Sequence, residues 1–192
     1  FDPSGASTST CEIVVHDAAS QRLFTTSEVA GYLDIIDFSN PTNPSVINSV
    51  NINPYGGVTS VAVKNGIVAV ASPNADETLN GSIVFFNNNG TFLNQVTVGA
   101  LPDMITFSPD GTKVMTANEG QPNTDYSIDP EGSVSIVDIS GGIASLSQSN
   151  VTTLLFTAYN TQEATLIPSG VRKLKSTSTL SPVSCALLTY PE

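Results

Sequence analysis

Acidic side chains concentrate in two loops of this sequence, where their oxygen atoms could bind a metal ion. These residues are Asp76, Glu77, Glu119, Asp125, Asp129 and Glu131. The amides of Asn74, Asn118 and Asn123 lie among them. Calcium is a hard cation that takes about 6–8 oxygen ligands from carboxylates and carbonyls. The two loops therefore predict a Ca²⁺ site, with a solvated acidic surface as the alternative interpretation.

Motifs typical of enzymes are missing from the sequence. There is no G-x-S-x-G elbow, no H-E-x-x-H and no phosphate-binding G-x-x-x-x-G-K. The single histidine, His16, follows the first candidate strand at a turn, a position that favours a structural role over catalysis. No catalytic residue is predicted, and a non-enzymatic protein is favoured.

The charge balance limits the classes of partner. Among 192 residues, 17 are Asp or Glu and 6 are Lys or Arg, which gives a net charge of -11. The phosphate backbone of a nucleic acid would be repelled, so nucleic-acid binding is excluded. No apolar run approaches the roughly 20 residues that span a bilayer, so no membrane-spanning segment is expected.

Three sequons and two cysteines bear on the compartment. Asn80, Asn89 and Asn150 each begin an N-x-Ser/Thr glycosylation sequon in a turn-like context. Cys11 and Cys185 are either two thiols or, in a secreted chain, one disulfide. The sequons, the scarcity of lysine and the acidic balance favour an extracellular or cell-surface protein.

The elements that must position these residues are short strands. Runs of β-branched and aromatic residues recur between clusters of Gly, Pro, Asn and Asp, while helical periodicity is almost absent. The candidate strands are 12–16, 22–26, 32–38, 45–52, 60–63, 67–71, 82–86, 91–98, 104–107, 113–117, 133–139, and 144–146 or a little beyond. This is the pattern of an all-β protein.

The strands repeat in sets of four. Alignment of residues 61–63 with residues 105–107 gives a period of about 44 residues, which is typical of a four-stranded propeller blade. A sandwich with irregular strands is the alternative. We predict propeller-type repeats of four-stranded antiparallel blades, about three in number, at 11–53, 56–98 and 101–154 within a region 11–160. Residues 1–10 form an N-terminal extension.

Several segments resemble one known family. They are DIIDFSNPTNP at 34–44, SVAVKNG at 60–66, VGALPDM at 98–104, FSPDGTK at 107–113, ANEG at 117–120 and DPEGSVSIVDI at 129–139. Through these segments the chain resembles the choice-of-anchor I propeller family, from about Cys11 to Lys173. The family includes mesenchyme-specific cell-surface glycoproteins and secreted bacterial proteins, some of them alkaline-phosphatase-like.

The resemblance implies an extracellular or cell-surface glycoprotein in adhesion, matrix or filament assembly. The acidic loops add Ca²⁺ as a candidate cofactor. A calcium-dependent phosphatase-like hydrolase, a phosphoesterase, is one alternative. A truncated product without independent activity is the other. Residues 161–167, in a segment 161–175, resemble the family's short helix.

The sequence departs from the family in two respects. Family domains hold about seven blades, whereas about three are expected here as an incomplete ring, and the tail at 176–192 no longer resembles the family. An arc of three blades would leave open edges, so we expect a fragment, self-association, another extracellular partner at those edges, or a covering tail.

Overall fold

The computed structural model describes residues 11–159 and 161–169. Its strands form three separate four-stranded sheets, and each sheet is an antiparallel meander of consecutive strands. The all-β fold with four-stranded repeats is therefore confirmed.

The twelve strands of the described residues are numbered in chain order. Sheet I consists of β1 (Cys11–Asp17), β2 (Arg22–Ser27), β3 (Tyr32–Asp37) and β4 (Ser45–Asn51). Sheet II consists of β5 (Ser60–Lys64), β6 (Ile67–Ser72), β7 (Asn80–Asn87) and β8 (Phe92–Ala100). Sheet III consists of β9 (Pro102–Phe107), β10 (Lys113–Asn118), β11 (Ser133–Asp138) and β12 (Val151–Leu155). One short helix, α1 (Glu163–Leu166), lies within the predicted helical segment 161–167.

Sheet II is covered on both of its faces. Along β6, Val68 and Val70 pack in one core cluster with residues of sheet I, whereas Ala69 and Ala71 pack in a second cluster with residues of sheet III. Alternate side chains of a strand point to opposite faces. We call the face of a sheet that points to the following sheet its forward face, and the opposite one its rear face.

The two core clusters join the three sheets into one stack. Between sheets I and II, the forward residues Phe24, Leu33 and Ile35 meet the rear residues Val84 and Phe86. Between sheets II and III, forward residues of sheet II meet the rear residues of sheet III, which are Ile105, Val114 and Val137. Burial of such side chains stabilises the stack by roughly 1.5–3 kcal/mol each. The continuous apolar runs of β6 and β7 follow from this double coverage.

The last strand lies elsewhere than the sequence predicted. Residues 144–146 were expected to form it, but Ile143–Ser145 form a 3-10 helix and the strand is β12. Gly142, with φ of 88°, begins that helix. The amide Nδ2 of Asn94 donates to the carbonyl oxygens of Ile143 at 2.8 Å and Leu146 at 3.0 Å. The apolar residues that suggested a strand are thus buried against β8 instead.

Candidate functional site at one end of the sheets

Five carboxylates from all three sheets lie near one another at one end of the stack. Glu12 and Asp103 stand at the second positions of the first strands of sheets I and III. Glu28 and Glu119 directly follow β2 and β10, and Glu77 lies between β6 and β7. Second-to-third loops and the starts of first strands emerge at the same end of a four-stranded meander. We call these five residues the acidic end.

Glu28 contacts its neighbours most closely. A hydrogen bond with the Glu12 carboxyl raises the pKa of Glu28 above its ordinary value, and burial adds to the rise. The negative charges of Glu12, Asp103 and Glu77 raise it further. The hydrogen bond to the neighbouring carboxyl favours the protonated form of Glu28.

The pKa values of Asp103 and Glu119 are also raised. Burial raises the pKa of Asp103, and the charge of Glu12 adds to the effect. Burial also raises the pKa of Glu119, with further contributions from the charges of Asp103 and Glu77. Burial and the neighbouring negative charges thus both favour the neutral forms of these two carboxyls.

The structure divides the carboxylates predicted to bind calcium. Glu77 and Glu119 belong to the acidic end, but Asp76 and Asp125 accept hydrogen bonds within their own loops. Thr78 donates its Oγ1 hydroxyl to Asp76 at 2.7 Å, and Ser127 donates its Oγ hydroxyl to Asp125 at 2.6 Å. These bonds lower the pKa of both aspartates. Their role in the described structure is to shape turns.

Glu131 occupies a third environment. Its Oε1 atom is buried without a hydrogen-bond partner, and burial raises the pKa of the carboxyl. A hydrogen bond from the backbone of Phe156 opposes that rise. Asp129 lies two residues earlier in the same loop. Neither Asp129 nor Glu131 is among the causes of the raised pKa values of Glu28, Asp103 and Glu119.

The side-chain amides near these carboxylates form hydrogen bonds with other groups of the protein. Asn118 is fully buried, accepts a hydrogen bond from Thr116 and donates to the hydroxyls of Ser133 and Ser135. Asn74 accepts from the backbone of Asp76, and Asn123 accepts from the backbone of Ile128. Within residues 11–159 and 161–169, no three His, Cys, Asp or Glu side chains are grouped closely enough to hold a metal. Calcium binding stays a prediction.

Sequence reasoning missed Glu12 and Glu28 because neither lies in a loop rich in acids. A signal for them was present in the repeat. Glu12 and Asp103 occupy the same position of β1 and β9, while Glu28 and Glu119 follow β2 and β10. An alignment of the first repeat with the third would have paired these acids.

The predicted glycosylation sites differ in their surroundings. Asn80 and Asn89 are exposed at the two ends of β7. The Oδ1 atom of Asn89 accepts a hydrogen bond from Arg22 at 2.8 Å, and its Nδ2 atom is the one that a glycan would modify. Asn150 is half-buried, and its Oδ1 atom accepts from the backbone of Ser147 at 3.0 Å.

The remaining predictions from the sequence concern the cysteines, the single histidine, the two ends of the chain and a membrane span. Cys11 is exposed at the start of β1, while Cys185 lies outside the described residues, so the disulfide stays a prediction. The ring of His16 meets that of Phe38 edge-on, with 5.8 Å between centroids, in line with a structural role. The N-terminal extension 1–10 and the tail 176–192 also lie outside the described residues. None of the described helices is long and apolar enough to cross a membrane.

Solved structures with a similar fold are propeller-like, at low sequence identity. Hydrazine synthase of Kuenenia stuttgartiensis matches with a TM-score of 0.57 and 13% identity, over 74% of this chain and 41% of that one. A putative 6-phosphogluconolactonase of Bacteroides fragilis matches with a TM-score of 0.55 and 11% identity, over 75% and 39%. A protein from Lactobacillus plantarum matches with a TM-score of 0.52 and 16% identity, over 75% and 45%. The chain thus spans less than half the length of these structures.

Comparison with sequences gives a more specific result. No curated protein sequence matches the chain. The profile of the choice-of-anchor I domain, however, matches residues 12–187, which extends past Lys173 and into the tail. The repeated four-stranded sheets agree with the propeller-like fold of the solved structures. The chain therefore belongs to the choice-of-anchor I domain family.

Proposed function

We propose that this chain is part of a secreted or surface-anchored propeller whose acidic end binds Ca²⁺, and that it acts in adhesion, matrix or filament assembly. The observation that carries the proposal is the convergence of Glu12, Glu28, Glu77, Asp103 and Glu119 from three sheets at one end of the stack. Membership of a family named for its anchors supports the extracellular setting. The exposed sequons at Asn80 and Asn89 fit it as well.

Charge favours a cation as the ligand. The raised pKa values of Asp103 and Glu119, due first to burial, and of Glu28, due first to its hydrogen bond with Glu12, indicate that the charged forms of these carboxyls carry an energetic cost in the fold. A divalent cation would offset part of that cost through its attraction to the charged carboxylates. Calcium fits better than magnesium, because it tolerates irregular sets of oxygen ligands.

Isothermal titration calorimetry tests the site. Wild-type protein should bind Ca²⁺ with a dissociation constant of about 10⁻⁴–10⁻³ M, the range of extracellular modules. The double variant Glu28→Gln, Glu119→Gln should bind at least about tenfold more weakly. Under mildly acidic conditions binding should release protons, because the raised pKa values of Glu28, Asp103 and Glu119 favour their protonated forms. Proton release is read from the dependence of the heat on the buffer.

Asp37→Asn is the matched control. Asp37 ends β3 at the opposite end of sheet I, and its substitution removes one carboxylate, so it is compared with each of the single variants Glu28→Gln and Glu119→Gln. Equal weakening in this control would show that net charge, not the acidic end, attracts calcium. Absence of binding heat at 10-fold above the expected range, roughly 10 mM, would refute the site.

The assembly part of the proposal needs its own assay. Beads coated with the protein should aggregate when Ca²⁺ is added and disperse with a chelator. Beads coated with the double variant should stay dispersed at the same calcium concentration. Calcium binding without aggregation would leave the cation site standing and refute the role in adhesion.

A further inference from the structure

Three asparagines of this chain directly precede a glycine. They are Asn65, Asn80 and Asn89. Glycine has no side chain to shield its backbone nitrogen, so this nitrogen can reach the amide carbon of the asparagine before it. Attack at that carbon would release ammonia and convert the asparagine into an acid. The surroundings of each pair decide whether the attack can take place in the folded protein.

The first pair has open surroundings. Asn65 and Gly66 form the two-residue turn between β5 and β6. Their φ values of 52° and 77° are those of a type I′ turn. Asn65 is exposed, and a Cβ atom built on Gly66 would meet nothing within 4 Å. Among the described residues, the N–H of Gly66 donates no hydrogen bond. The nucleophilic nitrogen is therefore free and accessible to water.

The pair at Asn89 is held by its neighbours. The backbone N–H of Gly90 donates to the carbonyl oxygen of Asn87 at 2.9 Å. The Oδ1 atom of Asn89 accepts a hydrogen bond from Arg22 at 2.8 Å. A Cβ atom on Gly90 would lie 2.6 Å from Cγ2 of Val50. Ring closure at this pair would have to break these hydrogen bonds and move the turn away from sheet I.

The pair at Asn80 is part of a strand. Both of its residues lie in β7, and Gly81 is buried. A Cβ atom on Gly81 would lie 2.5 Å from Cδ of Pro102 and 2.6 Å from the carbonyl oxygen of Ser72. The glycine is thus enclosed by sheets II and III. Rotation of its backbone toward the side chain of Asn80 would disrupt this packing.

We propose that Asn65 is a site of spontaneous deamidation. Hydroxide takes the proton of the Gly66 nitrogen, which forms a bond to Cγ of Asn65. The bond from Cγ to Nδ2 breaks, and the amide nitrogen takes a proton from water and leaves as ammonia. The resulting succinimide ring then adds one water molecule. It opens to aspartate when water attacks Cγ, and to isoaspartate when water attacks the main-chain carbonyl carbon.

The reaction would change both charge and backbone at this turn. Either product adds a negative charge next to Lys64, the last residue of β5. Isoaspartate also inserts a methylene group into the main chain. The length of a two-residue turn sets the register of its two strands, so this insertion would disturb the pairing of β5 with β6. The inference does not depend on calcium.

Hydroxylamine tests the site, because it attacks the succinimide and cleaves the chain before the glycine. The full chain is produced in bacteria, so that no sugar blocks Asn80 or Asn89. In folded protein, cleavage between Asn65 and Gly66 should be at least about tenfold faster than at either other pair, since the loss of even one hydrogen bond slows a reaction by about this factor. In protein unfolded by guanidinium chloride, all three pairs should be cleaved at similar rates. Fragment masses identify the cleaved bonds.

Incubation without hydroxylamine provides a second readout. In mildly alkaline buffer, peptide mass spectrometry should show conversion of the Asn65 amide to an acid before any conversion at Asn80 or Asn89. Asn65→Asp is the control, because Asp-Gly also favours a type I′ turn but has no amide to lose. Circular dichroism checks that this variant and the protein in hydroxylamine are folded. The control should release no ammonia from this turn.

Two results would overturn the proposal. The first is cleavage between Asn65 and Gly66 in unfolded protein only, which would show that the turn protects this asparagine. The second is equal cleavage at all three pairs in folded protein, which would show that the surroundings of Gly81 and Gly90 give no protection.

Discussion

Two groups of carboxylates among the described residues differ in what their oxygen atoms contact. Asp110 accepts hydrogen bonds from the Ser108 and Thr112 hydroxyls and from the backbone of Thr112, which lower its pKa to about 2. Glu28 and Glu119, by contrast, have raised pKa values at the acidic end. Hydrogen bonds within turns thus lower the pKa of a carboxyl, whereas burial and neighbouring carboxyls at the acidic end raise it.

Asp110 provides a test of the first group. Its pKa of about 2 lies below the ordinary 3.8, so its contribution to stability is present above pH 3.8 and is lost as the pH falls toward 2. Carboxyl NMR titration should give a midpoint near 2 for Asp110. In Ser108→Ala the midpoint should move back toward 3.8. An unchanged midpoint in that variant would contradict the assigned cause.

Asp34 provides a test of buried polarity. Ser49 donates its hydroxyl to Oδ1 of Asp34, while Oδ2 is buried without a partner. Asp34→Asn keeps the acceptor and places a neutral amide group beside Thr25. The free energy of unfolding at pH 7 should rise by about 1 kcal/mol, since an unsatisfied buried group is costly.

Chemical denaturation of Asp34→Asn measures that change. The half-buried Asp37 on the same strand is the control, and Asp37→Asn should shift the free energy of unfolding by less than about 0.5 kcal/mol, because asparagine keeps an acceptor for the Ser39 backbone N–H. A fall in stability for Asp34→Asn would mean that Asp34 is paired more completely than its described contacts indicate.

At the scale of residues, the sequence predicted the acidic loops. It did not predict which acids of a loop form turn hydrogen bonds and which belong to the acidic end. Asp76 and Glu77 are adjacent, yet Asp76 shapes a turn and Glu77 acts on the acidic end. The direction in which each side chain points depends on the local hydrogen bonds of the loop. Glu12 and Glu28 were missed because strand register brings them together, and composition contains no information on register.

Among the elements, β8 contains a position where two sheets approach closely. A Cβ atom on Gly99 would lie 2.3 Å from the Ser133 hydroxyl and 2.7 Å from Nδ2 of Asn118. Both partners are buried and hydrogen-bonded to each other, so they cannot move apart without loss of that bond. Glycine is required here for the approach of the sheets and not for its backbone angles.

Gly99→Ala should therefore lower the free energy of unfolding by about 1–3 kcal/mol, the usual cost of overpacking. Thermal and chemical denaturation measure it. Gly141→Ala is the control, because the nearest atom to its Cβ would be the Ser145 hydroxyl at 3.4 Å. Equal losses in both variants would indicate a general effect of alanine, not a clash between sheets.

The strands themselves were largely predictable. β6 and β7 stood out as apolar runs between turn residues, because both faces of sheet II are buried. β12 was misplaced, because Ile143 and Leu146 are apolar but belong to the core beneath the loop. Its own residues, Val151–Leu155, are mostly exposed and carry a weak signal. Burial therefore decided which strands the sequence revealed.

For the whole molecule, the two groups of carboxylates predict an optimum in pH. The folded state binds more protons than the unfolded state above 4.5, because the pKa values of Glu28 and Glu119 are raised. Stability should therefore fall as the pH rises through that region. Below 3.8 the turn carboxylates lose their contribution. The melting temperature should be highest between these two values.

Thermal unfolding from pH 3 to pH 8 tests this expectation. Glu28→Gln with Glu119→Gln should flatten the fall above pH 4.5, since these two groups then no longer titrate. Asp37→Asn should leave the slope unchanged. A melting temperature that rises steadily to pH 7 in wild-type protein would contradict the raised pKa values.

The repeat was readable in the sequence as a period, and its three sheets confirm the number of four-stranded units in residues 11–159. The way in which the units join was not readable. The sequence analysis expected contacts at strand edges, because edges carry unpaired backbone groups. The sheets pack instead through the side chains of their faces. The packing of Phe24 and Ala69 shows that the forward face of one sheet contacts the rear face of the next.

The double burial of β7 has a consequence for biosynthesis. Val84 and Phe86 can be covered as soon as sheet I exists, but Ile83 and Phe85 contact residues of sheet III, which the ribosome makes later. The nascent chain thus exposes half of the apolar side chains of β7 until β9 to β12 emerge, and such intervals favour aggregation. Asn80 and Asn89 bracket this strand. Sugar attached there during translocation would shield β7 for as long as its partner is unmade.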